Sequence, residues 1–195
     1  MKTSDNEIIR QALDGERQAY AELVNRHKGK AMTLALRMLK NRHDAEEALQ
    51  DAFVRAFRAL PGFERKSSFS TWFYRIVFNV CSSVLSKRGD TRMFSIDEEH
   101  DDELKMEIPS DDDEPDIAFE SSEFSRIVRK EIESMEESYS IILTMFFLQE
   151  MSYEEIMEVT GLPIGTVKNR LFRARMQLRN SVLKHFKDMN PMVNV

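Results

Sequence analysis

Lys168, Arg170, Arg173, Arg175 and Arg179 share one short stretch with Asn169, and no Asp or Glu occurs from Pro163 to Lys187. Ammonium and guanidinium groups neutralise phosphate, and Arg, Lys and Asn hydrogen-bond purine edges in a DNA major groove. A second set lies upstream. Trp72, Arg75, Asn79, Ser82 and Ser86 recur at spacings of three and four, behind a polar, basic loop carrying Phe63, Arg65, Lys66 and Ser67. Rings beside cations hold single-stranded bases, each stack being worth about 1–3 kcal/mol. The competing reading buries Trp72 in the core, the usual place of a lone tryptophan. Bond-breaking chemistry finds no support: the sequence has no Gly-rich phosphate loop, no metal-ligand cluster and no nucleophile beside a base, and its four histidines are scattered. A protein that is not an enzyme, with no metal, cofactor or small-molecule substrate, is expected.

Two short helices joined by a tight turn would carry the first set. Ser152 with Glu155 forms a capping box, and Ile156 and Val159 give that helix its apolar face. Gly161 supplies a left-handed residue and Pro163 stops the helix from resuming. Ile164, Val167, Leu171, Ala174 and Leu178 then recur at three and four, predicting a second helix with one face inward and its cations outward. This is the pattern of a helix-turn-helix built to enter a major groove. An ordinary helical hairpin with a solvated charged face is the bland alternative, disfavoured by the coincidence of glycine, apolar stripe and one-sided charge.

Four more helical patterns occupy the amino-terminal half. Ser4 with Glu7 reads as a capping box opening a short helix that Gly15 closes, and a longer amphipathic stretch runs through Tyr20, Leu23, Ala31, Leu34 and Met38. Asp44 with Glu47 opens DAEEALQDAFVRAFRAL, which Pro61 and Gly62 stop. Its Ala48, Leu49, Ala52, Phe53, Ala56 and Phe57 exceed one buried face, so either all are core, as periodicity favours, or part docks on a partner. In FERKSSFSTWFYRIVFNVCSSVLSKR, residues Phe69, Phe73, Ile76, Val77, Val80 and Val84 form a wide core stripe behind an N-cap at Ser68 or Ser70.

Charge divides the chain. Asp90 to Glu123 holds fifteen acidic residues against Arg92 and Lys105, a local balance of −13, so the rest of a chain of net charge −6 carries about +7. That acidic stretch, with Pro109 and Pro115, reads as a flexible linker. Helical spacing resumes at Phe124. The expected fold is all-α, with two helical domains at 1–89 and 123–187, an acidic flexible linker at 90–122 and a tail at 188–195. A single Cys81, no signal-peptide h-region and no apolar run long enough for a bilayer point to a cytoplasmic protein.

DAEEALQDAFVRAF, FERKSSFSTWFYRIVFNV and MSYEEIMEVTGLPIGTVKNRLFRAR, in that order, resemble the extracytoplasmic-function (ECF) sigma factors, specificity subunits of bacterial RNA polymerase. The resemblance covers nearly the whole chain and implies a sigma region 2-like domain followed by a helix-turn-helix region 4-like domain. It further implies that Gln50, Asp51, Phe53, Arg55 and Phe57 dock on core RNA polymerase. Phe63, Lys66, Ser67, Phe69, Trp72 and Asn79 would unstack the minus-ten strand and hold a flipped base, a step whose cost of a few kcal/mol stacking offsets. Lys168, Asn169, Phe172 and Arg173 would read the minus-thirty-five duplex, while Pro163, Gly165 and Thr166 bring backbone amides to phosphate. An anti-sigma factor is the further partner it implies. Met157 replaces a small residue of the family pattern, and Met135-Glu136 replaces Leu-Pro.

The rival functions are a dimeric helix-turn-helix regulator, which leaves the Trp72 and Asn79 face without work, and a sigma-mimicking adaptor that binds an anti-sigma factor, which leaves the basic helix without work. Promoter elements about 17 base pairs apart lie roughly 60 Å apart at about 3.4 Å per step. A linker of about 34 residues spans at most roughly 115 Å, so it bridges them with slack. The resemblance carries this polyanion towards the polymerase active site, where it imitates RNA. Neutralising the acids from Asp97 to Asp116 should therefore change abortive synthesis and start-site binding in transcription assays, and unchanged values would sink the idea.

Overall fold

The computed structural model describes residues 3–90 and 122–189, and every described element is helical. The acidic segment expected to link the domains, and the tail from 190 onward, lie outside the described residues. The helices are α1 (Asp5–Leu13), α2 (Arg17–Leu39), α3 (Arg42–Ala59), α4 (Phe69–Lys87), α5 (Ser122–Ser134), α6 (Glu137–Leu143), α7 (Tyr153–Thr160) and α8 (Ile164–Met189).

The amino-terminal unit is α2, α3 and α4 packed on one another, with α1 laid against α2. Its centre is aromatic. Phe53 of α3 stacks on Phe73 of α4 at 4.5 Å, and Phe73 lies parallel to Phe69 at 5.9 Å with 5° between planes. Ala31, Ala35, Ala45, Ala52 and Ala56 are fully buried, so the helices can approach closely around these rings. Cys81 is a core residue here, and burial pushes its thiol up to about 12. The second unit packs α8 across α5, α6 and α7.

Local chemistry fixes the helix ends. The Ser68 hydroxyl caps α4 by accepting from Thr71 N–H at 3.1 Å. At α3 the cap lies three residues ahead of the sequence expectation: Asn41, not Asp44, stands outside the helix and accepts from the Asp44 N–H at 3.1 Å. Only half of the Ser4–Glu7 box forms, because the Glu7 carboxylate turns to Arg10 at 2.6 Å. The Ser152–Glu155 box is complete, and Gly161, at φ +73°, closes α7 with its N–H on the Met157 carbonyl. Although Pro is missing before α6, the helix begins at Glu137, and Ser140 Oγ ties it back to the Ile132 carbonyl at 2.7 Å. Met157 is 38% exposed, so its bulk never enters the packing between helices.

The end of α6 departs from simple helical expectation. Thr144–Leu148 forms a π-helical turn, with the Gln149 N–H donating to the Thr144 carbonyl at 3.1 Å. Turns of this kind add a residue to the coil and change which side chains face a neighbour.

His27 of α2 is buried against Phe69, ring centroids 5.0 Å apart, with Nε2 2.9 Å from Asp5 Oδ2. Burial pulls its pKa below the ordinary 6.5, outweighing the attraction of Asp5. The unfolded chain therefore takes up this proton first, so the fold should lose stability as pH falls below 6.5. Urea midpoints measured across that range should decline in the wild type and flatten in His27→Gln; an unaltered slope would assign the effect elsewhere.

Candidate nucleic-acid interface

Three surfaces follow from these elements. On α4, Trp72 is half-buried and Arg75 and Asn79 are exposed, three and four residues apart along one face. The Trp72 ring is held between Phe63 at 4.9 Å and Phe69 at 5.7 Å. Phe63 is carried there by the tight turn Leu60–Gly62, whose Leu60 carbonyl accepts the Phe63 N–H. Lys66 is exposed on the loop and Ser67 is half-buried. Phe69 is placed differently from its neighbours. At 3% exposure it is a core ring, the buried prop on which Phe63 and Trp72 lean. Five of the six residues expected at this surface are thus exposed or half-buried, and Phe69 alone is buried.

On α8 the apolar stripe of Val167, Leu171, Ala174 and Leu178 is buried as its spacing predicts, while Ile164 stays exposed at the helix start. Pro163 precedes α8, so Gly165 and Thr166 sit in its first turn, where N–H groups have no helical acceptor. Lys168, Asn169 and Arg173 are half-buried, and Phe172 is 37% exposed. Arg175, one of the cations the sequence pattern puts outward, is instead folded over Phe146, its guanidinium carbon 4.3 Å from the ring centroid. Periodicity could not reveal this, because the receiving ring sits on the π turn.

On α3 the apolar surplus is resolved in favour of the core. Phe53 is 9% exposed, and Phe57 meets Tyr20 edge-on at 4.7 Å. What remains outside is Gln50, Arg55 and the half-buried Asp51, with Arg55 paired to Asp51 at 2.7 Å. Val54, 45% exposed, lies between them and is missed by a search for aromatics. Its spacing of three and four from Asp51 and Gln50 is the signal that could have found it.

The two units touch directly. Thr71 Oγ1 donates to Glu155 Oε1 at 2.6 Å, Ser67 Oγ donates to Glu158 Oε1 at 2.8 Å, and Arg75 lies 3.7 Å from the same Glu158 oxygen. Farther along, Gln149 Nε2 donates to the Lys30 carbonyl and Lys40 pairs with Glu137 at 2.5 Å. The acidic first turn of α7 and its neighbour Glu158 therefore lie on the polar loop edge beside Trp72. Among the described residues no group of His, Cys, Asp or Glu is placed to hold a metal, and no helix is long and apolar enough to cross a membrane.

Known proteins resemble this chain in sequence and in fold. Residues 23–91 match the Sigma-70 region 2 family and residues 125–178 match the Sigma-70 region 4 family. The ECF RNA polymerase sigma factor SigW of Bacillus subtilis is 32% identical over 176 residues, spanning 89% of this chain and 94% of that one. The ECF RNA polymerase sigma-E factor of Escherichia coli K12 is 32% identical over 185 residues, 92% of this chain and 94% of its own. The fold is like that of CnrH, solved with the cytosolic domain of CnrY, at a TM-score of 0.59 and 22% identity over 91% of this chain and 96% of that one. It is also like the sigma factor RpoE of Bartonella quintana, solved with the anti-sigma factor NepR, at 0.58 and 20% over 85% and 96%. Two Sigma-70 regions in order, and relatives above 30% identity along most of its length, show that the chain belongs to the extracytoplasmic-function sigma factors of bacterial RNA polymerase, a family of transcription-initiation subunits and not of enzymes.

Proposed function

We propose that this sigma factor divides its work between its two units. Residues 1–89 bind core polymerase and open the minus-ten element; residues 123–187 hold the minus-thirty-five element. The observation that carries the reading is the half-buried aromatic pair of Trp72 and Phe63, with the Asn79 amide two turns along the same helix face and Lys66 and Ser67 on the loop ahead. A flipped base stacks on Trp72 and meets the amide, while the loop takes its phosphate. Phe69 supports the stack from beneath. Asn169, Phe172 and Arg173 read the minus-thirty-five bases, with the α8 first turn on phosphate. The exposed Gln50, Val54 and Arg55 form the polymerase-docking face of α3, which Phe53 and Phe57 hold from the core side. The protein works by binding alone, in the cytoplasm where its polymerase is. An anti-sigma factor is its further partner, in keeping with the fold shared with the RpoE–NepR complex.

Contacts between Ser67 and Glu158 cannot coexist with DNA whose two elements lie roughly 60 Å apart at about 3.4 Å per step. The units must separate when both elements are held. Glu155→Gln with Glu158→Gln keeps the capping geometry, since glutamine serves the box equally, but removes two acids from the loop edge. The double variant should bind a single-stranded minus-ten oligonucleotide severalfold tighter than the wild type in fluorescence anisotropy; equal affinities would show that the contact does not compete.

Run-off transcription with core polymerase separates the two roles. Trp72→Ala with Asn79→Ala should slow open-complex formation and abolish most permanganate reactivity at the minus-ten region while closed-complex binding stays. Arg173→Ala should weaken discrimination at the minus-thirty-five element by about 1–3 kcal/mol with melting retained. Wild-type permanganate reactivity in the first variant would remove the melting assignment.

A further inference from the structure

We propose that Arg175 is a positioning residue for minus-thirty-five recognition, its guanidinium clamped in a ring cage that fixes the rotation of α8 about its own axis. The proposal rests on the reading of α8 as the minus-thirty-five helix. Arg175 lies 4.3 Å from the Phe146 centroid and 5.9 Å from those of Phe147 and Tyr153. Phe146 stacks on Tyr153 at 5.6 Å and meets Phe147 edge-on at 5.0 Å. Arg175 Nε is buried with no hydrogen-bond partner, so this side of the guanidinium answers to ring faces and not to an oxygen.

The cage draws on three elements. Phe146 and Phe147 come from the π turn Thr144–Leu148, Tyr153 from the start of α7, and Arg175 from the middle of α8. Lys168 Nζ also rests over Tyr153, at 5.8 Å. Lys168 and Arg175 are seven residues apart, about two helical turns, so they lie on one face along the border of the buried stripe. Asn169, Phe172 and Arg173 lie round the helix from that border. Holding the border holds the readout face. A rotation of about 20° would carry a side-chain tip roughly 6 Å from the axis through about 2 Å, far beyond what a hydrogen bond to a base edge tolerates. Only the planar guanidinium stacks on rings in this way; an ammonium of equal charge does not.

The test uses complete holoenzyme, reconstituted with core polymerase from wild type, Arg175→Lys, Arg175→Met, Phe146→Leu and the Phe146→Leu, Arg175→Lys double variant. Each is titrated against promoter duplexes with an intact or scrambled minus-thirty-five element, and against a fork-junction DNA that lacks it. Arg175→Lys and Phe146→Leu should each lose about tenfold of the wild-type preference for the intact element, and the double variant no more than either. Fork-junction affinity and the salt slope should stay at wild-type values. Should Phe146→Leu fail to fold, seen as lost helical circular dichroism, Arg175→Lys alone decides. The proposal is overturned if Arg175→Lys keeps the wild-type preference. It is equally overturned if Arg175→Met lowers the salt slope by about one on intact and scrambled duplexes while Phe146→Leu behaves as wild type, the mark of a direct phosphate contact. A wild-type enzyme indifferent to the minus-thirty-five element would overturn the reading of α8 and the clamp with it.

Discussion

A run of aromatic rings joins the buried centre of the first unit to its exposed edge, and the proposed strand-opening surface depends on it. Phe53 stacks on Phe73, Phe73 lies parallel to Phe69, Phe69 supports Trp72, and Trp72 meets Phe63, each step 4.5–5.9 Å between centroids. Rings in contact with one another leave little rotamer freedom to lose, so the outermost member is already ordered before any base arrives. Moving the inner rings would move the outer ones, which is why a surface role for Trp72 demands a core role for Phe69.

The second unit solves a related problem with less apolar material. A short α7 has few buried side chains of its own, Ile156 and Val159, so its direction is set by its ends: a complete capping box at Ser152 and a left-handed glycine at Gly161. These fix where α8 begins, and the ring cage around Arg175 fixes its roll. Backbone chemistry and one stacked cation together do what a larger core would do by shape alone.

Where hydrophobic period and cap residues act locally, the sequence was legible. The Val167–Leu178 stripe, the Ser152 box, the Gly161 stop and the Ser68 cap all follow from neighbours within one helical turn. Phe53 and Phe57 exceed one buried face of α3, and the core place that periodicity favours is filled because their contacts, Phe73 and Tyr20, belong to other helices. The misses involve residues whose place depends on distant partners. Arg175 looked like an outward-facing cation because the π turn that brings Phe146 to it has no sequence signature in the 3.6 period. Asn41 displaced Asp44 as cap because both are good caps, and only packing decides how far α3 extends. The contact of Glu155 and Glu158 with the first unit was not legible at all, since Glu155 read only as the capping-box partner of Ser152 and nothing in the helical period marked Glu158.

That contact has a strength suited to being exchanged. Exposed ion pairs such as Arg75 with Glu158 are worth about 0–1 kcal/mol, and part-buried charge-assisted bonds such as Thr71 with Glu155 about 1.5–3 kcal/mol. These polar contacts act beside an apolar one, since buried residues of both units form one continuous cluster, so separating the units also exposes apolar surface. Base stacking at about 1–3 kcal/mol per base, joined by phosphate contacts, is of the same size. At the polar edge, the proposed exchange replaces one set of oxygens, those of Glu155 and Glu158, with phosphate oxygens of the same charge, at a surface whose rings Phe69 holds in place.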